Sequence, residues 1–185
     1  MNQFNFLSPE TARVLEELVN KEYYLRELAE KLSFSPSSVH QITSDLLKEK
    51  ILLEHKQKNR KLFRVNFDSV IAREFLRIIF SRRIISSSSF KKLLGLKPKS
   101  IYLFGSFAKG RISANSDVDL AIFLEKKIDS LKLISIKRQL SKELKRDVQL
   151  IVLTPERINE MQTKKIELLN QIRNKSIVLY GDEIE

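Results

Sequence analysis

The 185-residue chain has no cysteine and no tryptophan, only two histidines, and only four glycines and four prolines. Without cysteine there is neither a disulfide frame nor a thiolate metal site. His40 and His55 stand too far apart, with no thiol to join them, to support a zinc site. No apolar run approaches the roughly 20 residues that a membrane span needs. The N-terminus is polar and acidic within its first turns, which predicts no secretory leader. A soluble, cytoplasmic protein without membrane contact is expected.

What is present is charge and enough apolar residue for a core. The hydrophobic share is 42% and the net charge is +11. The length suits one large or two small domains. Charge is uneven: residues 1–68 carry 11 basic and 10 acidic groups, residues 69–99 carry 8 and 1, and residues 100–185 carry 15 and 12. A basic excess of this kind favours an anionic partner, most simply a nucleic acid.

The most informative stretch runs from Phe104 to Phe123. Ile101 to Phe104 reads as a buried strand that Gly105 and Ser106 break. Gly110 ends a short helical turn. Asp117-Val-Asp-Leu-Ala-Ile-Phe then reads as a second strand that opens with acids. Residues two apart on a strand share a side, so Asp117 and Asp119 aim at one point while Val118 and Leu120 face the core. Paired carboxylates are hard oxygen ligands suited to Mg²⁺. The Gly-Ser turn offers backbone N–H groups suited to a phosphate. Metal and phosphate sites side by side point to phosphoryl or nucleotidyl chemistry.

The spacing Gly-Ser-x₃-Gly-x₅-Ser-Asp-x-Asp, from Gly105 to Asp119, resembles the signature of small nucleotidyltransferases of the DNA polymerase β superfamily. The resemblance implies transfer of a nucleoside monophosphate from a nucleoside triphosphate, with two Mg²⁺ ions held by Asp117 and Asp119. It implies phosphate binding by Ser106 and the backbone around Gly105. Gly105 and Gly110 serve where the backbone approaches a ligand or turns sharply. Lys109 and Arg111 either add charge to the phosphates or are solvated surface cations. Ser116 is placed to cap the turn that orients Asp117. Related stand-alone domains act as antitoxins that nucleotidylate a partner toxin, so a protein acceptor is implied too. The family usually supplies a third carboxylate from the next core strand, here Arg146-Asp-Val-Gln-Leu-Ile-Val. The most natural register puts Gln149 there. Asp147, on the same face and about 6–7 Å along the strand, takes the catalytic position if the strand is shifted or bulged. An enzyme and a nucleotide-binding sensor therefore both remain open.

Upstream, Ser8-Pro9-Glu10 starts a helix to about Val19, and a second helix is expected from near Glu22. Ser33 to Pro36 is a turn. Ser35 and Pro36 start a third helix with Val39, Ile42, Leu46 and Leu47 on its apolar face. Its outer face carries Ser37, Ser38, His40, Gln41, Ser44 and Lys48. Two alternating strands with a basic turn follow, placing Lys56, Lys58, Arg60 and Lys61 at or near a hairpin tip.

Helix, helix, helix and hairpin in this order, with Leu28-Ala-Glu-Lys-Leu and Ser35-Pro-Ser-Ser-Val, resembles the winged helix-turn-helix of transcription regulators. The resemblance implies double-stranded DNA as a partner. Ser37, Ser38, Gln41 and Lys48 would face the groove, and Lys58 and Arg60 the phosphates.

Asp68-Ser69 caps a longer helix, apolar around much of its circumference and expected to be largely buried. Its apolar excess suggests a homodimer. Downstream, a helix over about 130–145, a core strand over 148–153, one helix after Thr154 and a short last strand at Ile177 are expected. The fold class is α+β: a winged helix domain over 1–68, a connecting helix over 69–95, and a small mixed-sheet nucleotidyltransferase-like α/β domain over 96–185.

Overall fold

The computed structural model describes residues 8–126 and 128–183. The leader expectation rests partly on residues 1–7, which lie outside that range. The fold is mixed α+β with two separate sheets. The chain divides into two units, the first running to Ile79 and taking in Ile112–Asn115, the second holding Phe80–Arg111 and Ser116 onward. No described helix is long and apolar enough to cross a membrane.

In the first unit, α1 (Pro9–Asn20) starts where the Ser8 hydroxyl accepts the Thr11 N–H, with proline at the first helical position. It buries Val14, Leu15, Leu18 and Val19. The helix expected from Glu22 begins only at Leu25, because Tyr23–Tyr24 form a short strand, β1, that pairs antiparallel with Phe63 and Leu62. A two-residue strand has no period for the sequence to show, and sheet pairing overrides local helix preference. Helix α2 (Leu25–Leu32) ends at Ser33, which is left-handed at φ 56°. Ser35 caps α3 (Pro36–Lys48) by accepting the Ser38 N–H. Strands β2 (Leu52–Gln57) and β3 (Arg60–Val65) form a hairpin. Its two-residue loop, Lys58-Asn59, has φ values of 46° and 59°, the left-handed pair that a tight hairpin turn requires.

Helix α4 (Val70–Ile85) starts at the Ser69 hydroxyl, which accepts the Ala72 N–H. It is not largely buried. Val70, Ile71, Ile78 and Ile85 are 61%, 49%, 50% and 42% exposed. Ala72, Leu76 and Ile79 form its buried side, and apolar residues on the other side stay in solvent.

The second unit is built on a four-stranded sheet with the order β6-β5-β4-β7. These strands are β4 (Ser100–Phe104), β5 (Val118–Phe123), β6 (Val148–Leu153) and β7 (Ile177–Gly181). β4 pairs antiparallel with β5 and β7, and β5 pairs parallel with β6. A parallel pair needs a crossover, and α7 (Ser130–Leu144) supplies it. The single helix expected after Thr154 is two, α8 (Pro155–Thr163) and α9 (Glu167–Lys175), because Lys165 turns left-handed at φ 50°. One face of the sheet, with Tyr102, Phe104, Ala121 and Leu153, packs on Ile158 and Met161 of α8 and on Leu169 and Ile172 of α9. Ile101, Leu103, Leu120 and Ile122 alternate onto the other face and are fully buried.

Ser86 and Ser87 form a turn, and the serines after them begin a short helix. Ser87 caps α5 (Ser88–Leu94), and Glu143 of α7 accepts hydrogen bonds at that helix start. The donors are the Ser88 hydroxyl at 2.5 Å, the Ser89 hydroxyl at 3.1 Å and the Ser89 N–H at 3.2 Å. A carboxylate is well placed against the unpaired N–H groups of a helix start. These bonds, that from Ser88 first, hold Glu143 below the usual carboxylate range.

Candidate active site

The site forms where β4 ends and β5 begins. Short helix α6 (Gly105–Ala108) follows β4 directly. Register pairs Phe104 with Asp119 across the antiparallel strands and Asp119 with Gln149 across the parallel ones. Asp119 and Gln149 therefore share the sheet face that carries Phe104 and Ala121. They sit at its end, beyond the apolar core.

Gly105 and Asp119 meet closely. Gly105 has φ +71°, and a Cβ there would lie 2.1 Å from the Asp119 Oδ2 and 3.0 Å from its Cγ. Glycine is required twice over, for the left-handed backbone and for the space the carboxylate fills. The turn is closed by backbone bonds from the Lys109 N–H to the Gly105 carbonyl, the Gly110 N–H to Phe107 and the Arg111 N–H to Ser106. Gly110, at φ +64°, lets the chain leave the helix.

Asp119 is half-buried, and its carboxyl is pushed above the usual range, first by burial and then by the neighbouring charge of Asp117. An acid whose ionisation is opposed by a neighbouring acid makes a receptive site for a cation. The Gln149 side-chain amide donates to the Asp117 Oδ2 at 3.1 Å. Asp147 precedes β6. It contributes its backbone carbonyl, which accepts the Val118 N–H at 2.8 Å, and the residue is exposed. Among the described residues no group of three or more His, Cys, Asp or Glu side chains could hold a metal. Two carboxylates still fit Mg²⁺, which usually takes one or two protein carboxylates and completes its shell from water and substrate phosphates.

The other nucleotide-site candidates lie in the turn after Gly105 and in the segment leading to β5. Ser106 and Ser116 are half-buried, whereas Lys109 and Arg111 are exposed. The Ser116 carbonyl accepts from Arg146, a partner that sequence reasoning missed.

On the first unit, Ser37, Ser38 and Gln41 are exposed on α3, with Lys48 at its end. Ser38 also lies 2.7 Å from Ser35, hydroxyl to hydroxyl. Gln41 and Lys48 both turn to one acid: Gln41 donates to Asp45 at 2.7 Å and Lys48 at 2.9 Å. The Lys48 bond, then the Gln41 bond, hold the Asp45 carboxyl below its ordinary range. Spacing of three and four residues on one helix was the signal for this trio. Lys58 occupies the hairpin turn, and the Arg60 guanidinium lies 5.7 Å from the Tyr24 ring centre.

Residues 87–185, just over half of the chain, match the family model of the polymerase beta nucleotidyltransferases. The chain belongs to that family. Among similar solved structures, a toxin–antitoxin with AMP-PNP is 28% identical, with a TM-score of 0.41, over 51% of this chain and 72% of that one. A tri-AMPylated Shewanella oneidensis HEPN toxin in complex with MNT antitoxin matches at 23% identity and a TM-score of 0.34, over 51% and 71%. The toxin–antitoxin MntA-HepT matches at 24% identity and 0.34, over 51% and 71%. No curated protein matches the chain.

Proposed function

We propose that the second unit is a Mg²⁺-dependent nucleotidyltransferase and the first a winged helix-turn-helix that binds double-stranded DNA. The observation that carries the first part is the Gly105–Asp119 contact beside Asp117, with the Asp119 carboxyl raised by burial and by its neighbour. Asp117 and Asp119 would hold the divalent cation, which when bound supplies charge neutralisation to the triphosphate and to the departing pyrophosphate. Ser106 and the turn at Gly105 would bind the outer phosphates, with Lys109, Gly110, Arg111 and Ser116 around them. In the reaction an acceptor oxygen forms a bond to the α-phosphorus, the bond from that phosphorus to the oxygen bridging to the β-phosphate breaks, pyrophosphate leaves, and the acceptor hydroxyl's proton passes to water. The proposed acceptor is a hydroxyl of a partner protein, the role that the family's antitoxins imply.

One observation favours a second reading. Gln149 stands beside Asp119 in register and donates to Asp117, where the family usually has an acid. An amide cannot take the acceptor's proton. A domain that binds Mg²⁺–nucleotide and reports it to the first unit, with little turnover, fits that substitution. Incubation with α-labelled nucleoside triphosphate, Mg²⁺ and cell lysate separates the two. Label transferred by wild type and lost in Asp117→Asn with Asp119→Asn supports the enzyme. Retained nucleotide binding without transfer supports the sensor. Binding unchanged in the double variant removes both.

DNA binding is supported by the exposed Ser37, Ser38 and Gln41 on α3 and by Lys58 at the hairpin turn. A homodimer through α4 is supported by exposed Ile71, Ile78 and Ile85, which recur every seventh residue. Sedimentation of wild type against Ile78→Glu tests it, and a monomeric wild type removes it.

A further inference from the structure

Asp117 lies outside the regular ladder, since β5 begins only at Val118. Strand pairing reaches only as far as its neighbour Val118, the first residue of the ladder with β6, so the acid itself needs further support. Hydrogen bonds with residues 146–149 hold the segment on both sides of it and the carboxylate itself. The Arg146 guanidinium donates to the Ser116 carbonyl at 3.2 Å, on one side of Asp117. The Asp147 carbonyl accepts the Val118 N–H at 2.8 Å, on the other side. The Gln149 amide donates to the Asp117 carboxylate itself at 3.1 Å.

Arg146 does more than close one bond. Its guanidinium lies 5.5 Å from the ring centre of Phe107 and 5.8 Å from that of Phe80. The two rings meet edge to face at 5.1 Å and 87°. Phe107 is fully buried in α6, the turn that begins at Gly105. One side chain thus joins both halves of the motif, the turn proposed for phosphates and the peptide that carries the first acid. A planar guanidinium can lie against rings and donate along its edge at the same time, which an ammonium cannot.

We propose that Arg146 is the positioning residue for Asp117, locking the acid's backbone to the α6 turn so that cation and phosphate sites keep a fixed separation. The proposal rests on the reading that Asp117 and Asp119 hold a metal–nucleotide. Arg146 acts through Ser116 and Phe107, so its loss should damage metal-dependent binding selectively.

The test uses the full chain with Mn²⁺ as a paramagnetic stand-in for Mg²⁺ and ATP as probe. Electron paramagnetic resonance reads bound Mn²⁺, and ATP affinity is measured with and without the metal. Arg146→Ala should weaken Mn²⁺-dependent ATP binding about tenfold, the size expected for losing one hydrogen bond from a charged group. Metal-free ATP binding should change less than about twofold by the same reasoning. Arg146→Lys keeps the charge and should recover less than half of the loss. If Asp117→Asn binds Mn²⁺ and ATP as wild type does, the underlying site reading fails. If Asp117→Asn is weakened but Arg146→Ala is not, positioning by Arg146 is wrong and the site reading stands. Full recovery in Arg146→Lys, or equal loss with and without metal, assigns Arg146 a charge or contact role and also overturns the proposal. Circular dichroism checks the fold, and Arg146→Lys alone decides if the alanine variant does not fold: wild-type affinity in it refutes positioning.

Discussion

Replacing Gly105 by alanine separates the cost to the fold from the cost to the site. The new Cβ would lie 2.1 Å from the Asp119 Oδ2, whereas contacts shorter than 3.0 Å force something to shift. The carboxylate must retreat by about 1 Å, a displacement that can cost about a hundredfold where groups are held for chemistry. The fold suffers less, because the obstacle is a side-chain end that can swing. A left-handed alanine costs about 1–2 kcal/mol, and a unit of this size loses about 4–8 °C in Tm for each kcal/mol. Gly181 is the matched control. It too is left-handed, at φ +77°, but its Cβ would strike the Lys99 carbonyl at 1.9 Å, which is backbone and has nowhere to go. Gly181→Ala should therefore lower Tm more than Gly105→Ala, yet leave Mg²⁺–ATP affinity per folded molecule unchanged. Gly105→Ala should lower Mg²⁺–ATP affinity by one to two orders of magnitude. Calorimetry for Tm and titration of the nucleotide measure both. A Gly105→Ala protein that binds Mg²⁺–ATP within about twofold of wild type refutes the link between this glycine and the acid.

Three further outcomes follow from the charges. Asp119 has its carboxyl raised by burial and then by Asp117, so the stability it contributes is present below its unfolded value and lost as pH rises through the folded one. Without divalent cation, Asp119→Asn should melt above wild type at neutral pH, the gap should close on acidification, and Mg²⁺ should raise only the wild-type Tm. Glu143 has the opposite sign: its lowered carboxyl contributes stability above the unfolded value, lost as pH falls through the folded one. Glu143→Gln should melt below wild type at neutral pH and converge with it in acid; parallel curves would mean the α5 start does not use the charge. On duplex DNA, Lys58→Ala with Arg60→Ala should flatten the salt slope by about 0.9 for each phosphate no longer neutralised, and an unchanged slope removes the hairpin from the interface.

Much of this was legible where the sequence carries its own punctuation. Ser8-Pro9, Ser35-Pro36 and Thr154-Pro155 each announce a helix start, and each side chain accepts the N–H three residues on. The apolar run before Gly105 is a fully buried strand. Register alone put Gln149 beside Asp119, since a period of two leaves little choice once the strands align. What stayed hidden depends on distant partners. Tyr23–Tyr24 is a strand only because β3 is there to pair with it. The serine run starts a helix that Glu143, more than fifty residues on, completes. Nothing local to Arg146 signals its role, which depends on Ser116 and two rings from other elements.

The place of β7 in the sheet bears on how the protein is made. β4 needs a neighbour on each side, β5 and β7, and Ile177–Gly181 pairs with residues more than seventy positions earlier. The Tyr102 hydroxyl adds a bond at 2.6 Å to the carbonyl of Asp182, just beyond that strand. On a translating ribosome, the strands bearing Asp119 and Gln149 emerge and can pair first. Ser100–Phe104, wholly buried in the finished fold, keeps one edge open until Gly181 has left the exit tunnel. An open apolar edge is what nascent chains aggregate through and what chaperones cover. Synthesis that stalls within α9 would thus release a chain with β5 and β6 assembled and its β4 edge bare.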